Sequence, residues 1–152
     1  MTGAGPVFTN STVTYTLNSS DSTGLTGTVG LTKNGAGILN ITGANTFSGL
    51  TTVSSGTLTL TNALALQNSA LVTTTGTSTI SGVTSLTLGG LSGSRDLGSA
   101  NVLSGFTGSV TSLTLNPLSG SVTYSGVIAN GSTPFCASRA FTLGASSAFI
   151  AS

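Results

Sequence analysis

Val83-Thr84-Ser85-Leu86-Thr87-Leu88 returns unchanged as Val110-Thr111-Ser112-Leu113-Thr114-Leu115. Within each copy, apolar and hydroxyl residues alternate, the period-two pattern of a strand with one buried face. The first apolar residues of similar strands are Leu31, Leu58, Leu86, Leu113 and Phe141, which step by 27 or 28 residues. A shorter step of 19 joins Leu39 to Leu58. Such steps fall within the roughly 20–45 residues of stacked solenoid repeats. With paired strands roughly 4.8 Å apart, the spacing predicts roughly 5–7 rungs in a rod of roughly 25–35 Å.

The rest of the chain repeats the pattern. Val13-Thr14-Tyr15-Thr16-Leu17, Ile38-Leu39-Asn40-Ile41, Thr57-Leu58-Thr59-Leu60, Val122-Thr123-Tyr124 and Phe141-Thr142-Leu143 all read as short strands. Between them lie Asn34-Gly35-Ala36-Gly37, Gly89-Gly90 and Gly105, which suit corners that β-branched residues resist. One short helical turn is expected, at Asn62–Asn68. The fold class is all-β. A β-sandwich with regular hairpins is the architectural alternative, because it shares the short alternating strands.

Composition narrows the function. Half of the 152 residues are Thr (29), Ser (25) or Gly (22), and the charged side chains are Asp21, Lys33, Arg95, Asp96 and Arg139 alone. Three scattered cations cannot neutralise a row of phosphates, which argues against nucleic acid. One Cys, two Asp and no His give no metal-ligand cluster, and without His there is no Ser-His-Asp arrangement. A 38% hydrophobic share at net charge +1 argues for folding rather than disorder. No apolar run reaches the length of a membrane helix, and the small aromatic share supplies no girdle for a membrane barrel. Met1–Pro6 lacks the basic and apolar start of a signal peptide, so the chain as written is expected to be mature or not Sec-targeted.

One stretch resembles a known family. Gly30-Leu31-Thr32-Lys33-Asn34-Gly35-Ala36-Gly37-Ile38-Leu39-Asn40-Ile41-Thr42-Gly43-Ala44-Asn45-Thr46-Phe47-Ser48-Gly49, followed by Thr51-Thr52-Val53-Ser54-Ser55-Gly56-Thr57-Leu58, is similar to the autotransporter-associated β-strand repeat, also called the passenger-associated transport repeat, of bacterial surface proteins. Leu88–Gly93 and Thr123–Ile128 resemble segments found between successive copies. The resemblance implies a secreted, right-handed parallel β-helix. It gives one β-solenoid domain over 1–152, with a repeat core at about 30–60 and related flanking segments at about 83–128.

In such proteins the Tyr-Ser-Gly-Val-Ile segment precedes the Leu-Thr-Lys segment, whereas here it follows. Val13-Thr14-Tyr15 and Val122-Thr123-Tyr124 then read as one station of successive copies, and stacking one subunit on another restores the family order. The ends also lack charge: residues 1–20 carry none, and after Asp96 only Arg139 remains. Unguarded strand edges template another chain. The expected interface residues are Val13, Tyr15, Leu17, Phe141, Leu143, Phe149 and Ile150.

Other features carry less. Asn10, Asn18, Asn40 and Asn130 begin glycosylation sequons, at about the number that chance gives in so hydroxyl-rich a chain. Cys136 is a buried hydrophobe or an intersubunit bridge. Arg95-Asp96 reads as a surface turn, since glycoside cleavage needs two carboxylates close together. No catalytic, cofactor or metal residue is expected. The resulting expectation is a non-enzymatic extracellular or cell-surface subunit, not membrane-spanning. It polymerises head to tail, with itself as main partner and cell-surface or matrix polysaccharide as a second class. The alternative is a monomeric adhesin or glycan-binding passenger module cut from a longer surface protein.

Overall fold

The computed structural model describes residues 4–19, 24–75, 77–80, 83–97, 103–104, 110–116, 122–130, 133–134 and 140–143. In chain order the strands are β1 (Val7–Phe8), β2 (Thr14–Leu17), β3 (Leu31–Lys33), β4 (Ile38–Ile41), β5 (Thr51–Val53), β6 (Thr57–Leu60), β7 (Leu66–Val72) and β8 (Thr77–Ile80). They continue as β9 (Ser85–Ser92), β10 (Leu103–Ser104), β11 (Ser112–Leu115), β12 (Ala129–Asn130), β13 (Thr133–Pro134) and β14 (Ala140–Leu143). Apart from the short antiparallel pair β12–β13, the named strand pairs are parallel. The sheet orders are β1-β3-β5-β7-β9-β11-β14 and β10-β8-β6-β4-β2. Each sheet skips alternate strands because the chain coils: this is an all-β solenoid of parallel strands.

Three ladders run along the coil. The first comprises β1, β3, β5, Ala70–Val72 of β7 and Gly90–Ser92 of β9, extended by the parallel bridge from Gly93 to Tyr124. The second is β2-β4-β6-β8-β10. The third takes Leu25–Gly27 against Thr46–Ser48, then Leu66 against Leu88, Ser85–Leu88 against β11, and β11 against β14. The long strands β7 and β9 thus serve two ladders each, and the chain winds from first to second to third.

The register explains the spacings. Leu86 pairs with Leu113 and Leu113 with Phe141, so the 27- and 28-residue steps are true rungs of the third ladder. Leu31, however, pairs with Thr51 on the first ladder, while Leu58 pairs with Leu39 on the second. The step from Leu31 to Leu58 therefore spans one coil plus one side, and the step of 19 is the actual rung there. The expected helical turn at Asn62–Asn68 is instead a tight turn at Ala63–Ala65 running into β7. Asn62 Oδ1 accepts the Leu64 N–H at 2.9 Å and so satisfies the turn locally, and Leu66 then joins the interior.

Apolar columns fill the centre. Leu39 over Leu58 and Ile41 over Leu60 are fully buried, as are Leu86 and Leu113. Each contributes roughly 1.5–3 kcal/mol by leaving water. Three hydroxyl residues, Thr51, Ser69 and Thr73, are nevertheless buried. Ser69 Oγ donates to Gly49 O at 2.6 Å, so the 2.7 Å contact with Thr51 Oγ1 has Thr51 as donor. A hydroxyl inside the coil is tolerated because the corner carbonyls lie within its reach.

Candidate functional site

The N-terminal end of the solenoid is an open core. β2 is an edge strand, with Tyr15 in register with Leu39 and Leu17 with Ile41. Leu39 and Ile41 point inward and are fully buried, so alternation puts Tyr15 and Leu17 on the same interior face. Tyr15 is nevertheless 48% exposed, because the second ladder ends there. Beside it, Val7 of β1 and Val13 are exposed as well. A cavity of about 300 Å³ opens at this end, lined by Ala4, Pro6, Leu25, Val29, Leu31 and Phe47. Thr26 and Gly30 complete a lining that is mostly apolar.

Just behind this face sits Lys33, the chain's sole lysine. The register stacks it between Phe8 and Val53, and it is 0% exposed. Its Nζ donates to Gly35 O at 2.5 Å. Loss of hydration holds its pKa below the usual 10.5. Gly56, at φ +71°, passes so close that a Cβ there would collide with the carbonyls of Gly35 and Gly37. Nothing in the sequence flagged Lys33 as interior, since lysine is almost never fully buried unless paired.

Carboxamides hold successive coils together. Asn45 accepts the Leu25 N–H at 2.9 Å, and its Nδ2 donates to Gly43 O and Ala65 O at 3.1 and 3.0 Å. Gln67 Nε2 donates to Asn45 O at 2.9 Å. Three coils are thereby linked at one corner.

At the other end, Gly93–Leu97 carries the segment Thr123–Val127. Gly93 N–H donates to Thr123 O, Ser125 N–H to Gly93 O, and Leu97 N–H to Val127 O. The Tyr124 hydroxyl accepts the Leu97 N–H at 3.0 Å and faces Arg95 O and Val127 O at 3.1 Å. Burial chiefly, with the nearby Asp96 charge, pushes its pKa up to about 12 against the opposing pull of the Leu97 N–H. Asp96 Oδ1 accepts the Val127 N–H at 2.9 Å. The expected turn at Arg95-Asp96 is thus a clamp on the following coil. Val122 and Val127 remain exposed beside it.

The expected interface residues separate accordingly. Val13, Tyr15 and Leu17 lie together on the N-terminal edge. Phe141 and Leu143 take register positions against Leu113 and Leu115 on the last strand of the third ladder. Phe149 and Ile150, like Cys136, Asp21 and Arg139, lie outside the described residues. Tyr15 and Tyr124 do not share a station, for Tyr15 belongs to the second ladder and Tyr124 to the first.

Among the sequons, Asn18 is exposed and Asn40 half-buried. Asn10 is buried, with Nδ2 donating to Val13 O and Ile38 O at 2.6 and 2.9 Å, and its Oδ1 has no partner among the described residues. Asn130 lies in β12. No cluster of potential metal ligands occurs among the described residues, and none of their helices is long and apolar enough to cross a membrane.

Two comparisons with known proteins found a match, and the family model falls on the coils that carry Lys33, Asn45 and Phe47. A stretch of 55 residues is 56% identical to the Adhesin BmaC autotransporter of Brucella suis biovar 1 (strain 1330). It covers 36% of this chain and 2% of that protein, so the chain spans a small fraction of its relative's length. No solved structure matches. The family model of the passenger-associated-transport-repeat matches residues 31–60, from β3 through β6, and these coils are a repeat of that family.

Proposed function

We propose that this chain is a structural, non-catalytic segment of a surface passenger, built as a stiff spacer. Its location is extracellular or at the cell surface. The supporting observation is the repeat at 31–60 wound into a coil whose rungs are joined by backbone ladders and by carboxamides. The proposal takes residues 1–152 as one right-handed solenoid of roughly 5–7 rungs, the number that the repeat spacing gives. It further takes the ends to stack head to tail into a filament, which the half-exposed Tyr15 over buried Leu39 favours.

Negative-stain electron microscopy near neutral pH tests this. Filaments with an axial repeat of roughly 25–35 Å support it, given the strand spacing. Compact single particles count against stacking.

A second proposal rests on the adhesin relative. The chain then acts within a longer passenger as a monomeric module contacting cell-surface or matrix polysaccharide. Retention on immobilised polysaccharide by single particles would favour it.

A further inference from the structure

Among the described residues, five of the eight exposed large apolar side chains lie at the two ends, and Ile38, Leu50 and Leu64 lie on the coils between. Val7, Val13 and Tyr15 flank the N-terminal edge, while Val122 and Val127 flank the Gly93–Val127 clamp. Tyr15 in particular faces the interior and lacks a covering rung.

The two ends also agree in winding. The first described strand, β1, lies on the first ladder, and the last, β14, on the third. Since the chain passes from third ladder to first, a copy set beneath β14 continues the coil without skipping a side. On the first ladder, Gly93 engages Thr123 O and Ser125 N–H. Alternation then directs the N–H and C=O of Tyr124 away from β9, toward the next rung. β1 offers a strand of matching type and direction. Neither surface carries charge that would repel the other: β1, β2 and Val122–Val127 contain no ionisable side chain except Tyr15 and the tethered Tyr124.

We infer that the N-terminal end face, made by β1, Tyr15 and the apolar cavity, is capped by the Val122–Val127 edge of a second copy of this chain, with strands parallel. This rests on the head-to-tail reading above and names its surfaces. Such a contact is heterologous, so it propagates rather than closing on itself. Tyr15 becomes an interior residue of the joint, and the cavity is roofed by the incoming rung.

The experiment uses two single variants of the full chain, Tyr15→Lys and Val127→Lys, each placing on one end the charge that blunts strand edges. Circular dichroism and thermal melting establish that both keep the β-fold. Sedimentation then reads assembly. The wild type should associate, each variant alone should lose association, and an equal mixture should give a species of about twice the 14.7 kDa monomer. The mixture pairs the intact C-terminal end of Tyr15→Lys with the intact N-terminal end of Val127→Lys. A mixture that stays monomeric overturns the pairing of these ends. Association of the variants as strong as wild type also overturns it, while leaving polymerisation through another surface standing. A monomeric wild type overturns both the inference and the head-to-tail reading.

Discussion

Tyr15 lies over Leu39 in parallel register, yet Tyr15 is 48% exposed and Leu39 is fully buried. One rung of difference along the same column changes what a side chain contributes. Truncating Leu39 to alanine opens a cavity inside the stack and should cost roughly 2–5 kcal/mol. Tyr15→Ala should cost about 1 kcal/mol in the isolated chain, in the ordinary range for a half-exposed site. Paired chemical-denaturation curves at low protein concentration check the contrast.

Lys33 should make stability depend on pH in an unusual direction. Its pKa is lowered in the folded chain, whereas the unfolded chain keeps the usual 10.5. Between those values the unfolded state binds more protons, so stability rises with pH; below the folded value the penalty is constant. Lys33→Met removes this dependence. Denaturation midpoints of wild type and variant, measured from near neutral pH to near pH 10, should therefore shift in the wild type's favour as pH increases. Parallel curves would show that burial does not perturb this amine.

The same residue marks what the sequence could reveal. The repeat at Val83–Leu88 and Val110–Leu115 was legible, and its register holds residue by residue, Ser85 against Ser112 through Leu88 against Leu115. The ladder through Leu31 and Leu58 was not. Alternation reports which face of a strand is apolar but not which side of a coil the strand occupies, and a rung plus one side mimics a longer rung. Edge residues Val13, Tyr15 and Leu17 were legible from missing charge. The interior Lys33 was not, because its long side chain reaches a carbonyl that only the folded corner brings near.

Asn45 should be among the least replaceable polar residues. Its side chain satisfies Leu25 N–H, Gly43 O and Ala65 O while being buried. Asn45→Ala leaves these groups without partners and should cost about 2–3 kcal/mol. Asn62→Ala, which gives up the turn bond to Leu64 at a more exposed corner, should cost about 1 kcal/mol. Melting curves of the two variants test the order.

Tyr124→Phe removes the hydroxyl that ties Leu97 N–H to the Arg95 and Val127 carbonyls. The ring still packs on the core, so global stability should fall by only about 1 kcal/mol. Local opening should be easier. Trypsin, which has Lys33, Arg95 and Arg139 as its sites, should cut after Arg95 faster than in wild type while Lys33 stays protected. Unchanged cleavage at Arg95 would mean that the Asp96 contact to Val127 suffices alone.

The most direct test of the coil itself is disulfide formation across one rung, in a background with Cys136→Ser. Thr32 pairs with Thr52 in the parallel register, and neighbouring strands roughly 4.8 Å apart suit a disulfide. Cysteines at Thr32 and Thr52 should cross-link rapidly within a monomer under mild oxidation. Cysteines at Thr32 and Thr59, spaced by the longer repeat, should not. The opposite outcome would contradict the three-ladder coil and put Leu31 and Leu58 on one side.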